Sequence, residues 1–125
     1  MSLKVGDWKM NANGNEGLLT ISAVAPNGAV SGGLVVPISA GGAGLVGLWD
    51  ETSRTLTFFL PQTAQTQPFY KGFLFSTPRT PTPGVDVLWT LAGYFQACDL
   101  LAAEANGGNA RRSVFGWFAQ ITEVA

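Results

Sequence analysis

Two asparagine-glycine pairs, Asn13-Gly14 and Asn27-Gly28, separate short β-rich runs near the start of the chain, and this spacing constrains the fold more than any other feature. A tight hairpin turn needs positive φ at its centre, which Asn and Gly tolerate. The run before the first pair, Val5 to Asn11, alternates, with Trp8 and Met10 on the side of Gly6 and Asp7, Lys9 and Asn11 on the other. That is the pattern of a half-buried strand. The same rhythm continues to the end of the chain. Leu18 to Val24, Ala29 to Ile38, Leu45 to Trp49, Thr55 to Leu60, Phe69 to Ser76, Asp86 to Gln96 and Arg111 to Val124 all read as strands. Gly32-Gly33 marks a bulge or bend in the third of them.

Most of these strands are joined by short turns and no long helix intervenes, so the sequence predicts an all-β fold, an eight-stranded antiparallel up-and-down β-barrel. Pro61 to Pro68 is a polar loop, and Thr77 to Gly84, with three prolines, is predicted to be irregular. Cys98 to Gly107 is the one helical stretch, with Asp99 as a cap and Asn106-Gly107 as a stop, and it gives a short helix before the last strand. With 125 residues the chain makes a single domain, residues 1–125.

Composition narrows the chemistry. The chain has no His and one cysteine, Cys98, so the commonest general base and metal ligand is missing and no internal disulfide can form. Its carboxylates show no paired spacing, and the sequence therefore predicts no enzyme, no metal and no cofactor. Ala40 to Gly44 is glycine-rich but precedes a strand, whereas a phosphate cradle needs a helix N-terminus. A net charge of −1 with scattered Lys and Arg predicts no nucleic-acid partner. No apolar run reaches the ~20 residues that span a bilayer, so no membrane partner is predicted. A native Met1-Ser2-Leu3 start implies a cytoplasmic protein, and a removed signal peptide a secreted one.

The last five strands carry apolar residues on both parities: Val46 and Leu48 oppose Leu45 and Trp49, Phe59 opposes Phe58, and Val114 and Phe118 oppose Phe115 and Trp117. An outer face of this kind predicts a homo-oligomer, dimer or tetramer, because monomers rarely expose such patches. Strand ends and aromatic faces nominate Asn11, Asn13, Ser39, Trp49, Phe75, Ser76 and Trp89 as lining a pocket for a small apolar or aromatic ligand. An interaction or protease-inhibitor barrel, using the loops Pro61 to Pro68 and Thr77 to Gly84, is the alternative.

Gly6-Asp7-Trp8 on the first strand, the Asn-Gly turn after it, Gly28 leading to Gly32-Gly33, Trp89 on the seventh strand and an arginine opening the eighth resemble the avidin and streptavidin family of calycin barrels. The resemblance implies that Trp8 closes the barrel against Arg111 or Arg112, and that strands five to eight build a tetramer. It does not carry biotin across. Met10 stands where the family has its cradle asparagine, Leu34 where it has a tyrosine, and only Trp89 matches a cage tryptophan. The implied protein is an avidin-like scaffold with another ligand or none.

Overall fold

A computed structural model describes residues 3–35, 42–61, 69–78, 86–99 and 111–124. Eight strands, β1 (Gly6–Ala12), β2 (Asn15–Val24), β3 (Ala29–Val35), β4 (Ala43–Asp50), β5 (Thr55–Phe59), β6 (Phe69–Pro78), β7 (Asp86–Asp99) and β8 (Arg111–Val124), follow one another around a closed barrel. Each pairs antiparallel with the next, and β1 pairs with β8. The end where β1 starts is called the floor, and the end where β7 passes to β8 the rim.

The two Asn-Gly turns differ. Asn13 and Gly14 both have positive φ, 50° and 84°, which matches a two-residue loop to the twist of β1 and β2. At the second, the Gly28 amide donates to the Ala25 carbonyl at 2.9 Å, the Ala25 amide donates to the Ala29 carbonyl, and Gly28 alone is left-handed. This is the longer hairpin loop built on a type I turn with a glycine after it.

The bulge also lies elsewhere than predicted. It falls on β2, between the pairs Ile21↔Gly32 and Ala23↔Ser31. Gly32 faces it because the strands press together there: a Cβ on Gly32 would lie 1.8 Å from the Thr20 carbonyl oxygen. Two predicted boundaries are corrected by strand pairing. β6 runs on through Thr77 to Pro78, opposite Leu88 and Val87, with the proline at the strand end where a missing donor costs least. Cys98 and Asp99, predicted to open a helix, instead end β7 opposite Arg112 and Arg111. Ladder pairing along the long β7–β8 hairpin outweighs the capping preference of one Asp. There is no helix among the described residues; the rest of the predicted helix, the end of the third predicted strand and nearly all of the polar loop lie outside them.

All eight strands fill the interior. Trp8, Leu19, Ile21, Leu56 and Leu91 are fully buried, joined by Val30, Leu45, Phe58, Tyr70 and Trp117. The tightest contact is made by Trp117. Its indole lies against Gly72, where a Cβ would come within 2.6 Å of the ring, and its Nε1 donates to the carbonyls of Tyr94 (2.9 Å) and Lys71 (3.2 Å). Gly72 pairs with Gly93, and a Cβ on Gly93 would stand 2.0 Å from the Lys71 carbonyl oxygen. Gly72 thus makes room for the indole, and Gly93 for the backbone of the neighbouring strand.

Gly93→Ala should destabilise the barrel by at least about 2 kcal/mol, read as a lower urea midpoint at unchanged slope. Gly33→Ala, whose Cβ would sit 3.3 Å from the Ala43 carbonyl oxygen, should cost less than about 1 kcal/mol.

Candidate functional site

Because β1 and β8 run antiparallel, the last residues of β8 lie beside the first of β1. Lys9 pairs with Gln120, which sets Trp8 level with Ile121 at the floor. Arg111 and Arg112 begin β8 at the rim, opposite Asp99 and Cys98. At about 3.3 Å per residue they lie on the order of 30 Å from Trp8, beyond the reach of an arginine side chain, so the closure implied by the resemblance is not made.

Trp8 is nonetheless buried at the floor, with its Nε1 donating to the Lys4 carbonyl at 3.1 Å. Other groups surround it. The chain before β1 tucks under the barrel, burying Leu3 and bringing the Lys4 ammonium to Glu123 Oε1 at 2.6 Å. The second Glu123 oxygen accepts from Trp89 Nε1 at 2.7 Å. Lys4 Nζ and the Arg54 guanidinium carbon each lie 5.8 Å from the centre of the Trp89 ring, within cation-π range. Arg54 enters from the β4–β5 turn with φ 55°, a turn held by amides of Thr52 and Ser53 donating to Asp50 Oδ1. Its Nε is buried without a hydrogen-bond partner, so the contact with Trp89 is made without that donor being satisfied. Trp49, also inward and buried, donates from Nε1 to the Glu51 carboxylate.

At the rim the interior is aromatic. Phe58 stacks on Tyr70 with ring centres 4.6 Å apart, Tyr70 on Phe95 at 4.9 Å, and Phe95 meets Phe115 at 5.2 Å. Trp117 packs edge-on against Phe58 and Tyr70 from below. Burial pushes the Tyr70 phenol up to about 12, so it stays protonated at any physiological pH.

The predicted ligand residues therefore do not converge. Trp49, Ser76 and Trp89 belong to the floor, Ser76 pairing with Trp89. Asn11 and Asn13 belong to the rim hairpin, where Asn11 Oδ1 accepts from the Gly14 amide and the Asn13 amide donates to the Gly116 carbonyl. Both are turn-forming groups. Phe75 points outward and is half-exposed, and Ser39 lies outside the described residues. Packed side chains separate the two ends. Sequence reasoning missed Lys4, Arg54 and Glu123 because their meeting depends on which strand ends share the floor. It missed the Tyr70–Phe95–Phe115 stack because alternation separates the two faces of each strand but does not say which rings of neighbouring strands lie opposite each other.

The two-sided apolarity read at Val46, Leu48, Phe59, Val114 and Phe118 matches exposed side chains, to which Phe69, Phe73 and Phe75 are added. Val46, Leu48, Phe59, Phe69, Phe73 and Phe75 lie on the outer face of β4 to β6, and Val114 and Phe118 on that of β8. Among the described residues no three His, Cys, Asp or Glu side chains converge. Compared with family models, curated proteins and solved structures, the chain matches none.

Lys4 and Trp89 hydrogen bonds hold the Glu123 carboxyl below its ordinary 4.5. Its contribution to stability is thus complete above that value and is lost as pH falls through the depressed folded value. The melting temperature of the wild type should drop more steeply on acidification from pH 5 to pH 3 than that of Glu123→Gln, as followed by circular dichroism.

Proposed function

We propose that this chain is a non-enzymatic binding barrel that works as an assembly of identical copies joined through the outer face of β4 to β6. One observation carries this reading: six large apolar side chains, each between 40% and 57% exposed, form a continuous surface there. Val46, Phe59 and Phe69 make one cross-strand row, and Phe73 and Phe75 continue it along β6. Four half-exposed phenylalanines with Val46 and Leu48 present on the order of 500 Å² per copy, enough with its rim for a specific interface and more than a monomer ordinarily leaves in water. The charged side chain among them is Lys71, whose ammonium sits 5.7 Å from the Phe73 ring centre. Two such faces can therefore meet without strong like-charge repulsion. A slot of about 270 Å³ over Gly47, walled by Leu48, Thr57 and Phe59, offers a hole for a partner's aromatic knob. The resemblance to avidins implies an assembly of the same kind.

A second reading, a small flat ligand at the rim, is supported by the aromatic stack, since Phe95 and Phe115 are only partly buried and expose ring surface. Such a ligand would be apolar or aromatic, because Met10 and Leu34 offer biotin's ureido group no polar partner.

Native mass spectrometry should give a dimer or tetramer for the wild type. Phe73→Glu and Leu48→Glu should each give a folded monomer, since exposed substitutions cost little stability. A monomeric wild type at micromolar concentration would refute the assembly. Adding biotin should leave the mass distribution and the tryptophan fluorescence unchanged. A fluorescence response to aromatic compounds that Phe95→Ala abolishes would support the rim ligand, and silence across the panel would remove it.

A further inference from the structure

The outer face of β2, β1 and β8 differs in chemistry from that of β4 to β6. Two cavities open on it, about 360 Å³ and 470 Å³ in volume, and Lys9 and Gln120 line both. These two residues pair across the β1–β8 ladder, so the cavities are the two lobes of one groove straddling that pair. Asp7 and Thr122 flank the floor-side lobe, while Asn11, Glu16 and Phe118 flank the rim-side one.

We propose that this groove binds a neutral, polyhydroxylated ligand, an oligosaccharide of at least two rings, one per lobe. Charge argues first. Lys9 lies between Asp7 and Glu16, and neither Lys9 nor Glu16 has an ion-pair partner among the described residues. One ammonium among two carboxylates is net negative and disfavours a phosphate, and its mixture of a donor with acceptors suits hydroxyls that donate to one group and accept from another. The amide groups argue next. Gln120 donates from Nε2 to Thr90 Oγ1 at 3.2 Å, which fixes its plane and leaves Oε1 as an acceptor over the groove. Asn11 uses Oδ1 on the Gly14 amide, which leaves its Nδ2 as a donor. Asp7 is likewise steadied by the Thr20 hydroxyl at 2.8 Å. Donors and acceptors held before a ligand arrives lose less freedom on binding. Phe118, 45% exposed, supplies an apolar face of the kind against which the C–H side of a sugar ring packs. An extended peptide fits less well, because at Lys9 to Ala12 the two strands already pair with each other and leave no ladder to extend.

The test is an NMR titration of the isotope-labelled full chain with maltotriose, cellotriose, chitotriose and laminaritriose, with a neutral heptapeptide as a further arm. At least one saccharide should shift the amides of β1 and β8 around Lys9 and Gln120 at millimolar concentration. Phe118→Ala and Gln120→Ala should each weaken that binding at least tenfold. Phe73→Glu, on the face of β6, should leave it within twofold, which separates this site from the assembly surface. The proposal is overturned if no saccharide shifts those amides, if shifts survive both groove substitutions, or if only the peptide binds.

Discussion

The indole of Trp117 ties three strands of the barrel together, reaching from β8 to backbone of β6 and β7. It fits there because Gly72 has no side chain, and Gly72 is paired with Gly93, whose own lack of a Cβ lets the Lys71 carbonyl come close. Its N–H is buried with the ring and needs a partner, and the carbonyls of Lys71 and Tyr94, beside those glycines, supply it. Above this point the rings of Phe58, Tyr70, Phe95 and Phe115 stack toward the rim. Below it Leu91, Ala119 and Leu56 fill an apolar section down to Trp8. A barrel of eight strands has an interior just wide enough for such filling, and the choice between a packed core and a ligand chamber turns on a few side chains of this size.

That packed middle gives the outside of the barrel its importance. With the interior occupied between floor and rim, the surfaces left open are the ends and the outer faces. The outer surface is divided: polar and hydrogen-bonded over β1 and β2, apolar over β4 to β6, with Phe118 on β8 near the border. A surface divided in this way lets one small domain carry two kinds of contact without either interfering with the other.

Much of this was legible in the residues themselves. Alternation around Trp8 gave the inward face of β1 correctly, and the two-sided apolarity of Val46 to Trp49 and Val114 to Phe118 announced the exposed patch. What failed were inferences that needed to know which residues lie opposite each other. Strand ends and aromatic faces group Trp49, Ser76 and Trp89 with Asn11 and Asn13, yet alternate strand ends face opposite ways. Arg111 and Arg112 went astray for the same reason: they open a strand whose other end meets Trp8. Asp99 misled in a different way, since its local preference for capping a helix gave way to a pairing partner in β8.

The ladder that closes the barrel is its shortest commitment. β7 and β8 are 14-residue strands paired along their whole length, but β1 and β8 pair only from Lys9↔Gln120 to Ala12↔Trp117. These are also the pairings most distant in sequence, and the entropy of closing so long a loop must be met before they form. The meander from β2 to β8 can thus assemble from local hairpins first and zip shut last.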